Sequence, residues 1–82
     1  MDKASVRWAM RRGMLELDLL LPPFFEAKFD SLSAEEKETL LLLLKENDQD
    51  LYAWILNFLP CTQVLYQPLL KKIRQYHALD QA

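Results

Sequence analysis

Glycine, cysteine and histidine each occur only once in this chain of 82 residues. With Gly13 alone, the chain has neither the glycine-marked turns nor the polar–apolar alternation expected of a β protein, and it lacks the glycines that a phosphate-cradling GxGxxG or Walker loop requires. With Cys61 alone, no internal disulfide forms, and no Cys or His stands near it at metal-ligand spacing. No metal site is expected, and a reducing compartment, the cytoplasm, is the expected location. His77 leaves one conceivable nucleophilic dyad, Cys61 with His77, set against the plainer reading of a small buried thiol and a half-exposed imidazole at the end of the last helix.

Positive charge is not in excess either. Ten Lys and Arg face twelve Asp and Glu, for a net charge of -2, so the basic field that accompanies nucleic-acid binding is missing. The charge is uneven, however: Lys3, Arg7, Arg11 and Arg12 lead the chain, and acidic residues crowd its middle. The longest apolar runs, LLLPPFF and LLLLL, fall far short of the roughly 20 residues that span a bilayer, so no membrane insertion is expected. The Arg11-Arg12 pair leads into Glu16 and Asp18 rather than an apolar segment, so it does not read as an export signal, and no transit segment is expected.

What the chain does have is 51% apolar, 11% aromatic and 27% charged residues, enough for a core without disulfides or metal. The expectation is one all-α domain over residues 1–82, a small five-helix bundle with an ordered core over about 5–78 and short tails, frayed beyond Leu79. Ser5 is placed to cap a first helix that Gly13 ends. The spacing of Leu17, Leu20, Leu21 and Phe24 predicts a second helix, kinked at Pro22-Pro23. Ser33 and Glu36 read as a capping box starting a third helix at Ala34, and Leu40 to Leu44 place its second half at the bundle centre. Asp48 reads as the N-cap of a fourth helix with a Leu51, Trp54, Ile55, Phe58 stripe, ended by Pro60. A fifth carries Leu69, Leu70, Ile73, Tyr76 and His77 inward and Lys71, Lys72 and Arg74 outward, with Pro68 in its first turn.

Candidates for chemistry are few. Glu35, Glu36 and Glu38 suit the positive end of a helix dipole and imply no acid–base pair. That leaves RRGMLELD, residues 11 to 18, which admits two readings. In one, Arg11 and Arg12 are the cationic end of a helix, Gly13 the residue just past it, and Glu16 and Asp18 the anionic start of the next. In the other, a glycine corner exposes backbone between a guanidinium and a carboxylate and docks on another protein. The two are compatible.

The stretch Arg12-Gly13-Met14-Leu15-Glu16 also resembles the Arg-Gly-x-x-Glu motif of the FAD assembly factors of succinate dehydrogenase, the SdhE family or flavinators. The likeness continues through RWAMRRGMLELD, FFEAKFDSLSAEEK and DLYAWILN, covering about residues 5 to 76 in order. It departs from the family's usual pattern in the doubled proline and in FLPCTQVLY, where many relatives have a glycine-containing loop. The resemblance implies a five-helix chaperone, not an enzyme. Such a chaperone binds the flavoprotein subunit of succinate dehydrogenase, and in some bacteria that of fumarate reductase, and promotes covalent attachment of FAD to a histidine of that subunit. It implies that Arg12, Gly13 and Glu16 lie at the partner interface, with Arg7, Trp8, Arg11 and Asp18 as neighbours by proximity, and that FAD is acted on in the partner rather than held tightly here. Two other readings stay open: a generic helical interaction module or regulator, which predicts a lasting homo-oligomer, and a small Cys–His enzyme.

Overall fold

The computed structural model describes residues 3–79, which form five α-helices and a 3₁₀ turn, with no strand among them. They run α1 Lys3–Ala9, α2 Leu15–Lys28, the 3₁₀ turn Phe29–Ser31, α3 Ala34–Leu43, α4 Asp48–Ile55 and α5 Gln67–Tyr76. The expected all-α five-helix bundle is the observed architecture. Residues beyond Leu79, where a frayed end is expected, lie outside the described set.

α2 forms the spine, packing against α4 and α5, while α5 also contacts α3 and α4. The buried residues of α2, Leu17, Leu21, Phe24 and Phe25, continue in phase through Pro22 and Pro23, and the helix runs unbroken across both. Neither proline can donate to the carbonyl four residues earlier, so Asp18 and Leu19 lose those helix bonds. The stripe shared with α4 and α5 offsets that loss, which is how a Pro-Pro step survives inside a helix of 14 residues. Leu20, which the spacing placed on the inward stripe, is only half-buried against the core, and Phe25, on the other edge of that stripe, is buried as well. From α4 and α5, Leu51, Ile55, Leu69, Leu70 and Ile73 complete the core, each at 2% exposure or less, and no polar or charged residue among those described is buried. At roughly 1.5–3 kcal/mol for each such side chain taken out of water, this layer supplies the main driving force for folding.

The termini show why some boundaries differ from expectation. Ser33 Oγ accepts from the Glu36 N–H while Glu36 Oε1 accepts from the Ser33 N–H at 2.8 Å, the reciprocal box that starts α3 at Ala34 as expected. Lys72, although on the outer side of α5, pairs with Glu36. That contact first, and the Ser33 N–H second, hold the Glu36 carboxyl below its ordinary value of 4.5. Asn47, not Asp48, caps α4: its Oδ1 accepts from the Asp50 N–H at 2.9 Å, leaving Asp48 as the first helical residue with its carboxylate free for another task.

Pro60 does not end α4. Asn57 enters the left-handed region at φ +61, the Phe58 N–H donates to the Ala53 carbonyl and the Asn57 N–H to that of Trp54, which closes the helix at Ile55. Phe58 therefore leaves the stripe and is 69% exposed. Ala78, at φ +57, closes α5 in the same way, with Leu79 N–H on Arg74 O and Ala78 N–H on Gln75 O. In the five-leucine run only Leu40, Leu43 and Leu44 are buried, while Leu41 is half-buried and Leu42 exposed. Tyr76 stands at the rim of the core rather than inside it, its ring meeting Phe24 edge-on. Arg74 is drawn in rather than turned out, and its Nη1 donates to the Trp54 carbonyl at 2.8 Å.

Candidate functional site

α1 ends at Ala9, with the Met10 and Arg11 N–H groups bonded back to Val6 and Trp8, so Gly13 is not the residue that closes it. Ser5 lies inside α1 rather than at its cap. Gly13 instead turns the chain from the end of α1 into α2, and it does so at φ +83, the positive value that glycine takes without a Cβ penalty. A Cβ added there would meet nothing within 4 Å. Gly13 is therefore required by the backbone torsion and not by crowding, and the space above it is open.

The two flanks of this corner are held. On one side, Asp18, in the first turn of α2, accepts the Arg12 N–H on Oδ1 at 2.8 Å. On the other, the Arg12 side chain reaches into the α3–α4 corner, where Nε donates to Asp48 Oδ1 at 2.7 Å, Nη2 to the Glu46 carbonyl at 2.7 Å, and Nη1 to the carbonyls of Leu44 and Ala9. These groups lie at the C-terminal ends of α1 and α3 and at the start of α4, where carbonyl dipoles and one carboxylate attract a cation. The α3–α4 corner is itself pinned by Tyr66, whose hydroxyl donates to Glu46 Oε2 at 2.8 Å. Burial first, and the Glu46 carboxylate second, push the Tyr66 hydroxyl above its ordinary value of 10.0.

The other candidate residues divide by how they are engaged. Arg7 is paired, with Nε on Glu26 Oε1 at 3.0 Å and its guanidinium over the Phe25 ring. Arg11 and Glu16 are exposed, and among the described residues their side chains make no hydrogen bond or ion pair. Trp8 is 73% exposed. Arg7, Arg11, Asp18 and Glu26 rim a shallow depression of about 240 Å³ floored by Met10, Pro22 and Phe25. The sequence reading missed Leu15 and Leu19, exposed leucines one turn apart on α2. Their signal was available: at i and i+4 they fall off the Leu17, Leu21, Phe24 stripe, so burial of that stripe turns them outward.

Cys61 and His77 are not brought together. Cys61 lies before α5, its carbonyl accepting from Gln67 Nε2 at 2.8 Å and its thiol turned to the Gln63 carbonyl. His77 follows the other end of α5, and its Nε2–H donates to the Leu20 carbonyl at 2.7 Å. A helix of 10 residues separates them, about 15 Å of rise. No described helix is long and apolar enough to cross a membrane.

This arrangement coincides with similarity along nearly the whole chain. Residues 4–77 match the family model described as the flavinator of succinate dehydrogenase. A protein of Vibrio cholerae named FAD assembly factor SdhE is 44% identical over 72 residues, covering 88% of this chain and 84% of its own. Proteins of the same name from Vibrio vulnificus and Yersinia pseudotuberculosis are 51% and 50% identical over shorter stretches, each 64% of the relative's length. The solution structure of a UPF0350 protein superposes with a TM-score of 0.77 at 41% identity, covering 93% of this chain and 81% of that one. By these matches and the five-helix fold that carries them, the chain belongs to the family of succinate dehydrogenase flavinators.

Proposed function

We propose that this chain is an assembly factor that binds the flavoprotein subunit of succinate dehydrogenase and promotes covalent attachment of FAD to a histidine of that subunit. The observation that carries the reading is the Gly13 corner: open above, held from both sides by Asp18 and Asp48, and bordered by the uncommitted charges of Arg11 and Glu16. Trp8 on α1 and Leu15 and Leu19 on α2 leave exposed apolar area on the two helices that the corner joins. Aromatic and Arg side chains are common energetic anchors of protein interfaces, and a preformed corner loses little freedom on docking. Membership in the flavinator family supports the choice of client.

In this reading the chain works by contact. The bond to the 8α carbon of the flavin is made by the client's own histidine, and the helper stabilises a client conformation in which that histidine and the flavin are held close. No acid or base of this chain takes part, FAD is held by the client rather than tightly by the helper, and the reaction takes place in the cytoplasm. The related flavoprotein of fumarate reductase is a second client under the same contacts.

The test is covalent flavin in cells lacking their own factor, read as fluorescence of the denatured flavoprotein subunit in a gel. Wild type should restore the signal, while Gly13→Arg, checked for folding by circular dichroism, should not. A client left as dark by wild type as by the empty control would refute the assignment.

A further inference from the structure

The Arg12 guanidinium is already in use. Its side chain is 15% exposed, and all three of its nitrogens donate to groups of this chain. Docking through it would break several charge-assisted bonds. Asp48, which supplies the only formal negative charge among those acceptors, stands 36 positions away at the first residue of α4. Asn47 takes over the capping of that helix, so the Asp48 carboxylate is left for Arg12, its one side-chain partner among the described residues.

Resting on the client reading above, we propose that Asp48 is a positioning residue for the partner-binding corner. Together with the carbonyls of Leu44 and Glu46 it fixes the Arg12 side chain, and thereby the angle at which Gly13 is presented. The client is then touched by Arg11, Glu16 and Trp8, not by the Arg12 guanidinium. A planar five-donor fork suits a set of acceptors spread over three helix ends, whereas a lysine ammonium is a single point that cannot span them. Arg12 is held at its main chain as well, by Asp18, so the residue before the positive-φ glycine is fixed at both ends.

The test uses the whole chain with Asp48→Ala, Arg12→Ala, Arg12→Lys and the double alanine variant. Two readouts apply: calorimetric affinity for the purified succinate dehydrogenase flavoprotein subunit, and nitrogen–proton NMR of the free helper. Both single alanine variants should weaken binding by about tenfold, and the double variant should be no more than about twofold worse than either, because one unit has been broken twice. Arg12→Lys should not rescue. The Gly13 amide resonance should move in Asp48→Ala while those of Leu69 and Ile73 on α5 stay, which a general loss of stability would not produce. Asp48→Asn, which keeps an oxygen for Nε and disturbs folding least, should move the same resonance in the same direction.

Asp48→Ala binding within about twofold of wild type while Arg12→Ala loses tenfold would overturn the proposal, since Arg12 would then touch the client directly. An unmoved Gly13 amide in both Asp48 variants would also overturn it. If wild type itself does not bind, the client reading fails, and the NMR comparison in the free chain still decides whether Asp48 sets the corner.

Discussion

Arg12 Nε donates to Asp48 Oδ1 across 2.7 Å, tying the chain's one glycine corner to the first residue of a helix 36 positions later. The carbonyls of Leu44 and Glu46 share the same guanidinium, so removing it strands several acceptors at once. Arg12→Ala should therefore lower stability by about 2 kcal/mol, whereas Arg11→Ala, which loses no such bond, should stay within about 0.5 kcal/mol of wild type. Chemical denaturation of the two variants side by side checks this.

At Gly13 the cost of a side chain is torsional. With nothing within 4 Å of the place a Cβ would take and φ at +83, both Ala and Arg at position 13 should cost about 1 kcal/mol, a drop of about 4–8 °C in Tm for a chain of this size. The two variants should therefore resemble each other in thermal melts and differ in client binding, where only the arginine fills the open space.

Ala78 closes α5 at φ +57, a conformation in which its Cβ is strained. Ala78→Gly should raise stability by roughly 0.5–1 kcal/mol and leave the corner unaffected. Equilibrium unfolding reads the gain, and unchanged client binding confirms that it is confined to the helix end.

Acid should weaken the α3–α5 contact. The Lys72 ammonium first, and the Ser33 N–H second, hold the Glu36 carboxyl below 4.5. A carboxyl whose folded pKa is depressed stabilises the fold fully above its unfolded value and loses that contribution as pH falls through the folded one. Tm should thus decline below about pH 4.5, and Lys72→Met should flatten that decline. Ser33→Ala should cost about 1 kcal/mol at neutral pH through the lost cap.

The helical class, the Ser33–Glu36 box and the buried positions Leu17, Leu21 and Phe24 of α2 and Leu69, Leu70 and Ile73 of α5 were legible in sequence because each rests on spacing within a few residues, whereas Leu20 and Tyr76 were placed deeper than they lie and Arg74 was placed outward. The corner at Gly13 was legible for the same reason, although α1 closes before it. What sequence misplaced depended on competition between neighbours or on distant partners. Asn47 and Asp48 both suit an N-cap, and Asp48 was removed from that role by Arg12, a contact no local spacing reveals. Phe58 lay in phase with the α4 stripe, but Asn57 entered the left-handed region and ended the helix first. Of the expected contact residues, Glu16, Arg11 and Trp8 are exposed, while the Arg12 guanidinium is bonded within the chain, a contact that spacing does not reveal.

The most direct measurement is reconstitution from purified parts: apo flavoprotein subunit of succinate dehydrogenase, FAD, and this chain or none, with covalent flavin followed over time in denatured samples. Attachment should be at least about tenfold faster with wild type present and unaccelerated by folded Gly13→Arg, a difference of about 1.4 kcal/mol or more in barrier. Equal rates with and without the wild-type chain would contradict the assembly-factor role.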